Sequence, residues 1–169
     1  MRLREHDDFE AYVRGRGPAL YRLAYLLMGN QYDAQDLVQD VLGSAAVRWA
    51  KIRRADSVDA YLRRAVCNAA ATSFRRRARR PERVGSPPDR AAPLGIDLEL
   101  RDTLLGLLRR LPRGQREVLV LRYYEQLTEA ETAAALGIAV GTVKSQSSKA
   151  AAAMRVLLTE EAVTGKDTE

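Results

Sequence analysis

Short hydroxyl side chains and a cation lie on one face of a predicted helix, and their types and spacing could carry out a function. Residues 128–154 read TEAETAAALGIAVGTVKSQSSKAAAAM. A capping signal at Thr128 and Glu131 opens a short helix, and Gly137 can take the left-handed conformation that ends it. A longer helix begins near Val140, and this layout is typical of a helix-turn-helix.

The second helix of this pair would meet the first through Val143, while the small Ala133 lets the two cross closely. Its outer face would present Thr142, Ser145, Ser148 and Lys149, which suit base edges and phosphates. An ordinary antiparallel helix pair with polar residues facing water would show the same pattern. Ser147 falls on the inner face, where a hydroxyl could bond to a carbonyl of the preceding turn but packs poorly.

Positive charge is concentrated in residues 48–83, which contain 12 Arg or Lys against 3 Asp or Glu, although the whole chain carries only +6. On a predicted helix over residues 57–78, Arg64, Asn68 and Arg75 share the outer face, and further arginines follow. Such a ridge could track a phosphate backbone. The alternative is a solvated helix end whose cations interact with the helix dipole.

An acidic stripe lies on another predicted helix, which covers residues 31–49. Asp33, Asp36 and Asp40 recur there at i, i+3 and i+7, with Gln39 beside them. Such a stripe could bind a basic helix of a partner protein. It could equally be a solvated face with acids near the helix start, and the residues alone leave both open.

Several classes of protein are excluded by composition. Cys67 is the single cysteine and His6 the single histidine, so neither an internal disulfide nor a Cys/His metal cluster can form. No nucleophile–base pair and no Gly-rich phosphate loop is visible. The acidic N-terminus and the lack of an apolar run of about 20 residues argue against a signal peptide or a membrane span. We expect a cytoplasmic protein that is not an enzyme and needs no metal or cofactor.

Helices must position these features, since no segment shows sustained strand alternation. Gly17-Pro18 is expected to open a helix that Gly29 ends, after a short helix near residues 5–14. Asp56 is expected to cap the helix over 57–78. Apolar spacing predicts the buried face of each of the three main helices. The helix that Gly29 ends would bury Leu20, Leu23, Ala24 and Leu27, and the helix over 31–49 would bury Ala34, Leu37, Val38, Val41, Leu42, Ala45 and Trp49. The helix over 57–78 would bury Val58, Tyr61, Leu62, Ala65, Val66 and Ala69.

The C-terminal part shows the same helical spacing. Residues 113–125 predict its second helix, after a first that stops before Pro112. The apolar positions of that first helix are Leu100, Leu104, Leu107, Leu108 and Leu111.

The chain is therefore predicted to be all-α, with two small helical domains joined by a flexible linker. The linker is assigned to residues 81–96, where Pro, Gly and Ser are frequent. The domains are assigned to residues 1–80 and 97–160, and a tail to 161–169.

Together these segments resemble an extracytoplasmic-function sigma factor of the sigma-70 family, most closely a subgroup common in actinobacteria. Residues 33–40 resemble the DAEDLVQE-like signature of sigma region 2. YLRRAVCNAAATSFRRRARR, at 61–80, resembles the end of that region, and residues 111–150 resemble region 4. The resemblance spans about residues 9–158.

The resemblance implies a protein that binds core RNA polymerase and directs promoter-specific transcription initiation. Contact with the β′ clamp helices of the polymerase is implied for Asp33, Asp36, Gln39 and Asp40, and the β flap is a second implied contact. Opening and reading of the −10 element is implied for Arg53, Arg54, Arg64, Asn68, Arg75 and Arg76. Reading of the −35 element is implied for Thr142, Lys144, Ser145, Ser148 and Lys149. An anti-sigma factor commonly masks such surfaces.

The chain departs from the family pattern on the second helix of the helix-turn-helix. Gln146 stands where many relatives carry Arg, Ser147 where they carry an aliphatic residue, and Ala150–Ala153 where they often carry Arg and Glu. These departures leave fewer cations on this helix, so they put in question which promoter sequence is read, and not the class of protein. A response-regulator-type helix-turn-helix regulator is the alternative, but it would lack the acidic and basic helices. A helical adaptor that binds no DNA would not be retained on heparin with steep salt dependence.

Overall fold

The computed structural model describes residues 2–78 and 98–164, and every regular element within those ranges is helical, as predicted. The chain divides into two compact units. The N-terminal unit contains α1 (Arg2–Met28), α2 (Gln31–Val47), α3 (Trp49–Ile52) and α4 (Val58–Ala78). The C-terminal unit contains α5 (Leu98–Arg110), α6 (Arg113–Leu119), a π-helical turn (Val120–Tyr124), α7 (Glu129–Leu136) and α8 (Val140–Thr164). The predicted linker at 81–96 lies outside the described residues.

Helix α1 continues through Pro18, so the prediction that Gly17-Pro18 opens a helix is wrong. Proline removes one backbone hydrogen bond, and tertiary contacts must therefore hold the turns that precede it. The Phe9 ring meets the Trp49 ring edge-on with centroids 5.1 Å apart, and Tyr12 lies 5.4 Å from the same ring. These aromatic contacts anchor the first turns and outweigh the local signal. Gly29, with φ of 78°, follows the end of α1 as predicted.

The core of the N-terminal unit forms where α1 packs against α2 and α4. The predicted stripes of α1 and α2 are buried, except that Leu42 is only half-buried. Helix α2 ends at Val47, before the predicted boundary, and a separate short helix begins at the buried Trp49. This break points the indole toward Phe9 and Tyr12.

Helix α4 differs from its prediction in its cap and in its buried face. Its cap is Ser57, whose Oγ accepts a hydrogen bond from Ala60 N at 3.1 Å, and not Asp56. Both residue types cap helices well, so the sequence could not place the cap to within one residue. Tyr61 is 43% exposed and the other predicted positions Val58, Ala65 and Ala69 are only half-buried, while Cys67 and Ala70 join Leu62 and Val66 in the core.

In the C-terminal unit, α5, α6 and α7 all pack against α8. Leu107, Leu108 and Leu111 of the predicted stripe are buried, Leu104 is half-buried, and the side chain of Leu100 lies outside the described residues.

One acidic side chain of α6 is also buried in this unit. Glu117 is only 7% exposed, with Arg113 Nε 3.6 Å from its Oε1. Burial raises the pKa of the Glu117 carboxyl.

Candidate functional site

The acidic stripe begins at the capped end of α2. Asn30 caps this helix by accepting a hydrogen bond from Asp33 N at 2.9 Å, and its Nδ2 donates to the Asp33 carboxylate. Asp33 is consequently half-buried and takes part in the start of the helix. Asp36, Gln39 and Asp40 are exposed, and none of their side chains has a hydrogen bond or ion pair with another described residue. Asp33 therefore differs from the other members of the predicted stripe, because its carboxylate is bonded at the start of the helix and their side chains are exposed.

An apolar groove of about 460 Å³ runs between α1 and α2 and includes Gln39 in its lining. Its walls are formed by Phe9, Val13, Tyr21, Gln35, Val38, Gln39, Leu42, Gly43 and Ala46. The sequence analysis missed this groove because it assigned Val38 and Leu42 to a fully buried stripe. The half-buried positions at Val13 and Leu42 are the feature that leaves apolar surface open.

The connection between α3 and α4 carries two of the predicted DNA-binding arginines. Arg53 follows the last residue of α3, and its Nη1 lies 3.0 Å from Asp8 Oδ2 on α1. Arg54 is exposed and has no ion pair with another described residue. Two adjacent cations of the same predicted site therefore differ in whether an acid already neutralises them.

Helix α4 presents the other predicted −10 residues on its exposed surface. Arg64, Asn68, Arg75 and Arg76 are all exposed. Thr72 links two of them, because its Oγ1 donates to Asn68 O at 3.0 Å and accepts from Arg75 Nη2 at 3.3 Å. The Arg75 side chain is therefore held by Thr72, whereas the bond to Asn68 involves only its backbone carbonyl and leaves the amide side chain exposed.

Three residues that the sequence analysis did not identify fasten α4 to α1. Tyr12 OH donates to Asp59 Oδ1 at 2.8 Å, and Arg16 donates from Nε at 3.2 Å and from Nη2 to the same carboxylate. We call Tyr12, Arg16 and Asp59 the Asp59 cluster. The bonds from Arg16 lower the pKa of the Asp59 carboxyl, and burial together with the Asp59 bond raises the pKa of the Tyr12 hydroxyl. The one local sign of this cluster in the sequence is that Asp59 is an acid in the first turn of a helix.

The helix-turn-helix is formed by α7 and α8, as predicted. Thr128 N donates to Glu131 Oε2 at 2.8 Å and Glu131 N donates to Thr128 Oγ1 at 3.1 Å, which completes the capping box. Gly137 ends α7 in the left-handed conformation with φ of 67°. Val143 is fully buried against Ala133 and Val118, so the predicted contact between the two helices is confirmed.

The outer face of α8 carries all five predicted −35 residues in exposed positions: Thr142, Lys144, Ser145, Ser148 and Lys149. Lys144 Nζ lies 3.8 Å from Glu129 Oε2 of α7, whereas Lys149 has no ion pair with another described residue.

Two of the residues that depart from the family pattern, Gln146 and Ser147, lie on the inner side of α8. Gln146 is half-buried and lies against Gly114 of α6, where an added Cβ would come within 3.4 Å of Nε2. Ser147 Oγ is buried and has no hydrogen-bond partner among the described residues, so it makes no bond to a carbonyl of the preceding turn.

Each of the two units matches a known protein family. Residues 7–80 match the family model of Sigma-70 region 2, and residues 101–154 match that of Sigma-70 region 4. The chain is 42% identical over 154 residues to an RNA polymerase sigma-E factor of Streptomyces coelicolor, an alignment that covers 88% of this chain and 84% of the relative. The chain belongs to the extracytoplasmic-function sigma factors of the sigma-70 family.

Two further proteins support this assignment for the sigma factor. It is 33% identical over 154 residues to the sigma factor SigM of Mycobacterium tuberculosis, covering 89% of this chain and 76% of SigM. Its fold matches the sigma factor RpoE of Bartonella quintana, solved in complex with the anti-sigma factor NepR, with a TM-score of 0.76 and 29% identity over 90% of this chain and 97% of that one.

The sigma factor therefore binds core RNA polymerase and directs promoter-specific transcription initiation. The response-regulator alternative is not favoured, because the region 2 match covers the acidic and basic helices that such a regulator would lack. In the described part of the chain no helix is long and apolar enough to cross a membrane. No group of three or more described His, Cys, Asp or Glu residues could hold a metal ion.

Proposed function

We propose that the sigma factor docks on the β′ clamp helices of core RNA polymerase through the exposed side of α2. The observation that carries this proposal is the set of unpaired polar groups at Asp36, Gln39 and Asp40 beside an open apolar groove. Carboxylates without partners in the free protein lose no internal ion pair when a basic helix binds them. The groove adds apolar area, which supplies most of the binding energy at protein interfaces.

Asp33 has a different part in this proposal. Its carboxylate is already bonded to Asn30 at the start of α2, where the helix dipole also favours a negative charge. We assign it the role of fixing the helix end from which the acidic stripe projects, with a smaller direct contribution to polymerase binding.

The −10 element is bound, in this proposal, by the loop of residues 51–57 and by α4. Arg53 and Arg54 approach the phosphates from the loop, while Arg64, Asn68, Arg75 and Arg76 extend the same role along the helix. The exposure of all six residues supports this assignment. The hydrogen bond from Arg75 Nη2 to Thr72 Oγ1 holds the Arg75 guanidinium against the helix surface, which suits a strand that follows the helix.

The −35 element is read by the exposed face of α8 in the major groove. Its side chains divide into hydroxyls, which can discriminate bases, and lysines, which contact phosphates. The rigid crossing of α7 and α8 around Val143 supports this role, because a reading helix must be held at a fixed angle. Residues of this C-terminal unit would also contact the β flap.

Regulation and location follow from the relatives. We propose that an anti-sigma factor masks surfaces of this sigma factor, as the complex of RpoE with NepR suggests by analogy. The cytoplasm, where RNA polymerase transcribes DNA, is the proposed site of action.

Charge reversal on α2 tests the docking surface. The double substitution Asp36→Lys and Asp40→Lys should weaken binding to core polymerase at least about tenfold, since like charges placed against a basic partner cost several kcal/mol. Both side chains are exposed, so far-ultraviolet circular dichroism should be unchanged. Asp7→Lys with Glu10→Lys on α1 is the matched control, because it makes the same change in net charge at exposed positions. Equal co-purification of the two double variants with core enzyme would contradict the proposal.

A further inference from the structure

The first two turns of α1 place negative charge beside a DNA-binding arginine. Residues 5–10 contain four acids and no Lys or Arg. Among them, Asp8 Oδ2 lies 3.0 Å from Arg53 Nη1, and these two residues line a surface hollow together with Arg4, Glu5 and Asp7. An incoming phosphate would therefore meet the Asp8 carboxylate beside the Arg53 guanidinium to which it would bind.

The buried neighbours of this ion pair fix its position. Phe9, the residue after Asp8, stacks edge-on against Trp49, which begins α3, and Arg53 caps the same short helix. Arg53 N also bonds to Trp49 O at 2.9 Å. The aromatic contact thus fixes both backbones, so Asp8 is held within reach of Arg53 and is not a freely moving terminal residue.

We propose that Asp8 is a positioning residue that competes with DNA for Arg53 and thereby weakens the binding of single-stranded DNA to the loop of residues 51–57. This inference rests on the proposed DNA-binding role of that loop. Arg54 sets the comparison, because it neighbours Arg53 and has no ion pair with another described residue. A DNA phosphate can pair with Arg54 without breaking an ion pair, but it must displace the Asp8 carboxylate to pair with Arg53.

The test uses the full chain and a fluorescein-labelled single-stranded DNA of mixed sequence, with binding followed by anisotropy. Asp8→Asn should bind this probe about two- to fivefold more tightly than wild type, because exposed ion pairs of this kind are weak. The gain should shrink between about 50 mM and about 200 mM salt. Asp8→Glu, which keeps the carboxylate, should return the affinity to that of wild type.

Two controls separate this role from a general effect of charge or folding. Glu10→Gln removes one negative charge from the same helix at a residue that pairs with His6 at 3.0 Å, and it should leave DNA affinity unchanged. In an Arg53→Ala background, Asp8→Asn should give no gain. Thermal melting of all variants should match that of wild type, since both members of the pair are at least 40% exposed.

Each contrary outcome has a distinct meaning. If Arg53→Ala weakens DNA binding but Asp8→Asn leaves it unchanged, the competition is refuted and the role of the loop stands. A gain that persists without Arg53 also refutes the competition, because it then comes from net charge alone. If Arg53→Ala has no effect on DNA binding, both this inference and the proposed role of Arg53 fail.

Discussion

Removal of the Asp59 carboxylate should selectively loosen the contact between α1 and α4. Asp59→Ala deletes the acceptor of the Tyr12 hydroxyl bond and of two Arg16 donors. The part-buried Tyr12 hydroxyl then lacks its partner, which costs about 1 kcal/mol. The ion pair adds only about 0.5–1 kcal/mol, because Arg16 and Asp59 are 52% and 36% exposed and solvent screens them. The expected total is about 1.5–2 kcal/mol, or roughly 6–15 °C in the melting temperature of a unit of this size.

Trp49 gives a direct assay for this loss in the full chain. It is the only tryptophan, it is buried, and it contacts both Phe9 and Tyr12, so its fluorescence reports on the N-terminal unit alone. Tyr12→Phe should lose about 1 kcal/mol, the contribution of one hydrogen bond. Asp56→Ala is the matched control, because it removes an exposed aspartate three residues earlier in the chain and should change the melting temperature by little.

The pH dependence provides a second check on the same cluster. Because the bonds from Arg16 lower the pKa of Asp59 in the folded state, the charged carboxylate stabilises the fold at every pH above its unfolded pKa of about 3.9. That contribution is lost as the pH falls through the folded pKa. The difference in melting temperature between wild type and Asp59→Ala should therefore shrink below about pH 4. A difference at pH 7 no larger than that of Asp56→Ala, or one that does not shrink in acid, would refute the reasoning.

Three further predictions concern the C-terminal unit. Gly137→Ala should cost about 1–2 kcal/mol in thermal or denaturant unfolding, because φ of 67° strains any residue with a Cβ. Burial raises the pKa of Glu117, so wild type should gain stability as the pH falls through the folded pKa toward the unfolded pKa of about 4.3, and Glu117→Gln should abolish this gain in the hydrogen-exchange protection of α6. Lys149→Ala should lower the salt slope of duplex DNA binding by about 1, and more than Lys144→Ala, which removes a lysine that Glu129 already partly neutralises; equal effects would contradict this.

The features that the sequence predicted correctly are those set by local chemistry. The capping box at Thr128 and Glu131, the left-handed Gly137 and the buried Val143 all follow from residue type and short-range spacing. The exposed −35 residues follow in turn, since a helix that buries Val143 must turn its opposite face outward. The roles of the individual site residues in binding stay predictions.

The features that the sequence missed depend on contacts between distant residues. Pro18 looks like a helix start, but the aromatic contacts of Trp49 hold the helix that precedes it. The Asp59 cluster joins residues 43 and 47 positions apart, and neither member carries a signal for the other. Gln126 takes a positive φ of 54° without being Gly or Asn, while the Arg122 side chain donates to the Leu127 carbonyl beside it. No short-range rule predicts that turn.

The distribution of ion pairs changes what the net charge of +6 means for DNA binding. A count of cations treats Arg53 and Arg54 as equal, and likewise Lys144 and Lys149. The structure divides each pair, because the first member lies near a carboxylate on a neighbouring helix and the second has no ion pair with another described residue. A counterion is released from DNA when a protein cation neutralises a phosphate, so a cation already paired with a carboxylate should add less to DNA affinity than a count of cations suggests. The same arrangement recurs in both units, so if these faces bind DNA as proposed, acids on the adjoining helices should lower the affinity of the sigma factor for DNA of arbitrary sequence.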